Sequence, residues 1–321
     1  MNASRRHVVI GAAALAGWPA IGLAWPDRTL RIVVGFQAGG GTDIIARLLA
    51  ERLRPELGGA TVIVENKPGA AGALAAEAVL AAHDGHSLLM LGDSLLTSSL
   101  TNKRVRYQPL RDFKPISLAC EGPLVVLASE RAPFRDFASF AAYVKANPGK
   151  VNYVTAGLGG QQHLTAEYLC AALKLEMTHV PMRGGSQATQ DLLAGQVEAA
   201  ILGMGPTLPH IRSGKMVALA VTAPVRYPAL PDVPTLIELG VEDFTVMQWF
   251  GVAAPGDAPQ PVVDQLARAM AKALDDAAAR RRIDEIGYTT RWLGPAEFAD
   301  KIRSEETRWR KLIEERGLKI D

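Results

Sequence analysis

The sequence predicts an α/β protein of two lobes, with parallel-rich sheets flanked by helices and two strands crossing between the lobes at a hinge. Three features predict it. Short apolar or β-branched runs alternate with stretches of helical period. Glycine-rich turns follow strands at residues 39–41, 157–160 and 184–185. The strand–helix series leaves its first sheet at 123–127 and returns at 249–254, so one lobe is inserted into the other. A length of 321 residues suits two lobes, and 48% hydrophobic residues supply a core without disulfides or metal.

Each element has its own signal. Residues 30–34 are an apolar strand, and Ile45, Leu48, Leu49 and Leu53 recur at helical spacing after Gly39-Gly40-Gly41-Thr42-Asp43. Gly41 or Thr42 is the expected helix cap, with Asp43 in the first turn. Three glycines let backbone N–H groups approach a ligand, and the helix dipole favours an anion there. Residues 61–65 are a β-branched strand, 70–82 an Ala-rich helix and 87–91 a third strand. Ligands of such sheets sit beyond the carboxyl ends of the strands, which puts the turns after Val34 and Leu91 on the ligand side. In the second lobe, helices are expected at 136–146, from the 157–160 turn through Leu173, and at 187–194. Strands are expected at 151–154, 177–180, 197–202 and 217–221. The tail reads as helices at 261–275, 277–286 and 295–316. The lobes are therefore residues 25–123 with 252–321, and 124–251.

Residues 1–24 read as a signal peptide. Arg5-Arg6-His7 is its positive end, residues 8–24 are apolar, and Gly22-Leu23-Ala24 forms a small-x-small cleavage site. The expectation is export to the periplasm with cleavage near Ala24, by the Sec or the twin-arginine route. The leader holds two of the 35 basic residues and none of the 33 acidic ones, so the mature chain carries 33 of each. A neutral chain argues against nucleic acid, which needs a basic stripe, and makes any anion affinity local. Cys120 and Cys170 read as two separate buried thiols.

Nucleotide motifs fail. Thr42-Asp43 stands where a P-loop needs Lys-Ser/Thr, and Ile44 and Gln162 stand where a dinucleotide fingerprint needs glycine. Gly92-Asp93-Ser94-Leu95 matches the GDSL signature of an esterase class and follows a strand. Such an enzyme needs a base, commonly a late Asp-x-x-His, and no histidine here has Asp three places before it. A cleft-lining role with Ser94 as donor fits better. His83-Asp84-Gly85-His86 reads as an exposed helix terminus rather than a metal site. His163 either donates to a ligand carboxylate or braces its own loop. Arg183 either pairs with a ligand carboxylate or stands as a solvated edge residue, the second preferred. The stretch from Arg280 to Arg291 reads as a solvated face outside the cleft.

The mature chain resembles the Bug-type periplasmic solute-binding proteins of tripartite tricarboxylate transporters. The markers begin with Arg31-Ile32-Val33-Val34-Gly35-Phe36, then Gly39-Gly40-Gly41-Thr42-Asp43 and Val64-Glu65-Asn66-Lys67-Pro68-Gly69. Later come His179-Val180-Pro181, Asp191-Leu192-Leu193-Ala194-Gly195, Pro231-Asp232-Val233-Pro234-Thr235 and Trp249-Phe250-Gly251. The resemblance implies the periplasmic binding protein fold, capture of a small organic acid between the lobes, no catalysis, no cofactor or metal, and delivery to membrane permease subunits by a monomer. A sensor passing its closed form to a membrane signalling partner is the alternative, as is the Ser94 esterase.

Carried over by position, the resemblance implies four ligand clamps. The first is Phe36, Gln37, Ala38, Gly39, Gly40, Thr42 and Asp43. The second is Asp93, Ser94 and Leu95. Thr155 to Gln162, Ala156, Gly157 and Gly159 among them, forms the third with His163, and Met182-Arg183-Gly184 the fourth. Leu202 and Gly203 join them. Gln37-Ala38 stands where two prolines are common, Met182 for a usual Tyr, Leu202-Gly203 for a frequent Asp-Asn and Ala156 for a common Ser. These losses of polar groups imply a ligand with one carboxylate and an apolar or aromatic remainder, rather than citrate.

Overall fold

The computed structural model describes residues 25–242 and 244–316, so the leader read at 1–24 lies outside the described residues. The chain opens with β1 (Leu30–Val34), α1 (Gly41–Glu56), β2 (Val62–Asn66), α2 (Ala73–Ala82) and β3 (Ser87–Gly92). Then follow α3 (Asp93–Thr101), α4 (Pro109–Asp112), β4 (Phe113–Ser129), α5 (Phe137–Ala146), β5 (Asn152–Thr155) and α6 (Gln161–Leu173). Next come β6 (Thr178–Pro181), α7 (Gly185–Leu193), β7 (Ala199–Gly203), α8 (Met204–Arg212) and β8 (Met216–Val221). The chain closes with β9 (Met247–Pro255), α9 (Gln260–Asp275), α10 (Ala277–Glu285), β10 (Thr289–Leu293) and α11 (Pro295–Arg316).

Ten strands form one curled sheet in the order β2-β1-β3-β9-β4-β7-β5-β6, with β8 and β10 also on β4. β1 pairs in parallel with β2 and β3, and β5 with β6 and β7. These are the strand–helix–strand units, and every residue of β3 is buried, as a covered parallel sheet requires. The 17-residue β4 does the crossing. Its first part, from Phe113 to Pro123, runs antiparallel to β9, and its second part, from Leu124, pairs with β7 and β8. Two lobes thus hang on two antiparallel crossing strands.

The differences from sequence expectation have local causes. The helix expected over 70–82 begins with a separate turn, Ala70–Gly72, whose Ala70, Ala71 and Gly72 have φ of 48°, 50° and 99°. That turn lets bare backbones meet, since a Cβ on Gly35 would fall 2.4 Å from Gly72 Cα. α1 starts on Gly40 with no side-chain cap, rather than on Gly41 or Thr42. α8 was hidden by its two prolines. Pro206 sits in the first turn, where a missing N–H costs nothing, although Pro209 lies inside. β10 has no buried position and exists by pairing with β4. His83 is exposed as expected, but His86 is buried, its ring against Trp25. Cys120 and Cys170 are free and buried.

α11 reaches across both lobes. Phe298 and Ile302 pack with Leu89, Leu91 and Trp249, while Trp309 joins the second-lobe core of Phe134, Phe140 and Phe244. Arg308 Nη2 donates to the Thr245 carbonyl there.

Candidate functional site

Five helices point their N-termini at the space between the lobes, and each is capped by glycine. The caps are Gly40 for α1, Gly92 for α3, Gly160 for α6, Gly184 for α7 and Gly203 for α8, none with a side-chain cap. By contrast, α5 is closed by Asp136 in a reciprocal capping box and α10 by the Asp276 carboxylate. First-turn N–H groups without intrahelical partners therefore converge with the positive ends of the helix dipoles.

They surround an inner chamber of about 30 Å³. Gly40, Gly41 and Thr42 of the α1 end, Asp93 and Ser94 of α3, Gly185 of α7, and Gly203 with Pro206 of the α8 end form much of its wall. Gln248 and Phe250 of β9, Gln162 and Tyr288 complete it. Phe36 and Ala156 are shared with an outer cavity of about 640 Å³, which also touches Gly157, Met182 and Arg183. Gln248 Oε1 would stand 2.1 Å from a Cβ on Gly203, and Tyr288 crowds three glycines. A Cβ on Gly41, Gly203 or Gly205 would fall 2.5, 2.9 or 3.2 Å from its Oη. That hydroxyl accepts from Gly205 N–H at 3.1 Å and donates to Gln248 Oε1 at 3.4 Å. Burial raises its pKa, so the phenol stays neutral.

Asp93 is the one acid among the described residues of the inner wall, which carries no Lys or Arg. Its Oδ2 accepts the Trp249 N–H of β9 at 2.7 Å, and its Oδ1 accepts Ser94 Oγ at 3.2 Å. Burial dominates those hydrogen bonds and pushes its pKa up to about 7. The Ser94 hydroxyl is thus engaged by a carboxyl and faces Gly160.

Several residues named from sequence stand behind the wall instead. Asp43 is buried, and its carboxylate takes Gly39 N–H, Arg47 Nε and Asn66 Nδ2 at 2.9, 2.9 and 2.8 Å. Burial raises its pKa, but these bonds outweigh it and leave the group below the ordinary value. Asp43 shapes the glycine loop, and an i,i+4 partner is the reason. Leu95 packs against Gly72, and Leu202 lies in the core. Thr155 Oγ1 meets His179 Nε2 at 2.8 Å. His163 accepts Gly159 N–H at Nδ1 and stacks on His179 at 3.9 Å, so it braces its loop. Gln37 acts through its backbone, donating to the Arg183 carbonyl of the opposite lobe at 3.3 Å, and Ala38 and Gly39 are exposed at the loop tip.

Sequence reading missed Gln248, Phe250, Pro206 and Tyr288, and its third clamp does reach the wall at Gln162. Gln248, a polar residue entering an apolar strand, was the available signal. Tyr288 lies inside the 280–291 stretch read as outside the cleft, and that reading is corrected here. Among the described residues no group of three or more His, Cys, Asp or Glu is placed to hold a metal ion.

The comparisons with known proteins agree with this geometry. Residues 45–318 match the family described as tripartite tricarboxylate transporter family receptor. BugT of Bordetella pertussis is 33% identical over 326 residues, covering 100% of both chains. The periplasmic binding protein BugD is similar in structure, with a TM-score of 0.88, 36% identity, and 92% of this chain and 99% of that one covered. MatC from Rhodopseudomonas palustris, solved with bound malate, has a TM-score of 0.86 and 34% identity, with 90% and 100% covered. The chain belongs to the tripartite tricarboxylate transporter receptor family.

Proposed function

We propose that this protein is a periplasmic receptor that captures a small organic carboxylate between its lobes and delivers it to the membrane subunits of a tripartite tricarboxylate-type transporter. The carrying observation is the convergence of five glycine-capped helix N-termini on a chamber without a formal cation. A carboxylate there accepts main-chain N–H groups, which need no desolvated counter-ion. Thr42 and Gln162 are side-chain donors of the chamber wall, while the Ser94 and Tyr288 hydroxyls already donate to Asp93 and Gln248. The relative MatC holds malate, an organic acid of the same class.

In this reading residues 25–123 with 252–321 form one lobe and 124–251 the other, and they close by flexing β4 and β9. Gln37 N–H to Arg183 carbonyl, and Thr101 Oγ1 to Gly159 carbonyl at 3.2 Å, latch the jaws. The receptor works as a monomer and is not an enzyme. Ser94 faces Asp93 instead of a histidine, and His163 and His179 are engaged with each other and their own loop. The apolar outer walls at Phe36, Ala156 and Met182 favour a ligand with an apolar body over citrate.

The test is calorimetry against a panel of mono-, di- and tricarboxylates, with small-angle scattering to follow closure. Micromolar or tighter binding of a carboxylate with a fall in radius of gyration is expected. Citrate as the tightest ligand would refute the apolar-body reading, and ester hydrolysis lost in Ser94→Ala would refute the receptor reading.

A further inference from the structure

Gln248 carries an unused donor on the chamber wall. Its side chain is 6% exposed and lines the chamber from β9. Oε1 accepts the Tyr288 hydroxyl at 3.4 Å, but Nε2 makes no hydrogen bond among the described residues. That nitrogen is not sealed in the core either, as the orphaned Gln161 Oε1 is. With the residue more than nine-tenths buried, the space that reaches Nε2 is the chamber it lines. A desolvated N–H without a partner is costly, which favours an acceptor in that space. Asp93, the acid of the wall, does not fill the role, because its oxygens take the Trp249 N–H and the Ser94 hydroxyl.

The amide is held one way round. Tyr288 Oη accepts the Gly205 N–H at 3.1 Å, which leaves its own proton for Gln248 Oε1. A Cβ on Gly203 would fall 2.1 Å from that same Oε1. The glycine at the cap of α8 therefore makes room for the oxygen end, and Tyr288 makes that end an acceptor. A carboxamide carries oxygen and nitrogen on two sides of one carbon, so fixing Oε1 against Tyr288 turns the N–H edge away from it.

We infer that Gln248 is a specificity-determining residue whose Nε2–H donates to the captured carboxylate, and that Tyr288 is the positioning residue that keeps the amide oxygen from facing the ligand. This deepens the receptor reading above and rests on it. Helix N-termini take small anions in general. An amide with only its donor edge on the chamber adds direction, and it favours a head group that accepts without donating. Being neutral, it also avoids burying a counter-ion.

The experiment follows the Gln248 side chain itself. Protein isotope-labelled at its glutamine side chains gives paired amide signals in NMR, and the pair missing from Gln248→Met belongs to residue 248. Gln248→Glu, isosteric and without the amide nitrogen, supplies a second assignment should the first variant not fold. Malate, adipate, hexanoate and benzoate are added in turn, with calorimetry on the same samples. One Gln248 amide proton should move downfield as the tightest of these acids saturates wild type. Gln248→Met should bind that acid about ten- to a hundredfold more weakly, the scale of a hydrogen bond to a charged group. Tyr288→Phe should weaken it about threefold, by letting the amide turn over, and should add no loss in the Gln248→Met background. Unmoved Gln248 signals at saturation, a Gln248→Met affinity within about twofold of wild type, or a Tyr288→Phe loss that is the same in both backgrounds would overturn the assignment and leave the receptor reading standing. Failure of all four acids to bind wild type would overturn both.

Discussion

Replacing Asp93 by Asn should stabilise the protein at pH 8 and flatten its stability between pH 4 and 8. The carboxyl is pushed from 3.8 up to about 7 because burial outweighs the hydrogen bonds from Trp249 N–H and Ser94, with Glu305 adding repulsion. The sign follows from linkage. Between the two pKa values the folded state holds a proton that the unfolded state has released. That contribution is fully present below the unfolded pKa of 3.8 and is lost as pH rises through 7. A shift of this size corresponds to about 4 kcal/mol, as an order of magnitude. Asn keeps an oxygen for the Trp249 N–H and adds no charge. Thermal denaturation of both proteins across the range measures it, and the difference between the two curves isolates this group from others that titrate. Parallel curves would refute the assignment of a buried, protonatable Asp93. A bound carboxylate beside it should hold the proton more firmly. Wild-type binding should therefore take up protons near pH 7, seen as a buffer-dependent binding enthalpy, and Asp93→Asn should not.

Other outcomes are specific enough to check. His163 and His179 have pKa values lowered by burial to about 4 and about 3, with His163 adding to the second. Folding favours their neutral forms, so stability is present above 6.5 and lost as pH falls from 6.5 toward 4, by about 3 kcal/mol at most for His163. A melting curve series from pH 7 to 4 should be flatter in His163→Gln. Tyr288→Phe leaves the Gly205 N–H without its buried acceptor and should cost about 1–3 kcal/mol in denaturant unfolding, with weaker carboxylate binding. Gly184→Ala places a Cβ 2.9 Å from Gln37 N, the donor that latches the jaws. Its radius of gyration should stay large when ligand is added, and its melting temperature should fall as well, because Ala adopts the Gly184 φ of 159° only under strain.

Strand–helix alternation was legible because its signals are local, and so were the glycine turns, because they end strands. What sequence does not show is which residue each glycine makes room for. Asp43 and Asp93 look alike in the chain, each in the first turn of a helix that follows a strand. The first finds its partners at Arg47 and Asn66 and becomes scaffold. The second finds the Trp249 N–H, 156 positions on, and becomes chamber wall. Arg47 four places after Asp43, against Thr97 after Asp93, is a local difference, but nothing near Asp93 marks its partner. The same holds for Tyr288, which no local pattern marks, yet its hydroxyl lies where a Cβ on Gly41 would be and, with Gln248 Oε1, where one on Gly203 would be. A cleft glycine is half of a pair. Its partner is a large side chain brought in by topology, so the small half of this site could be read from the chain and the large half needed the fold.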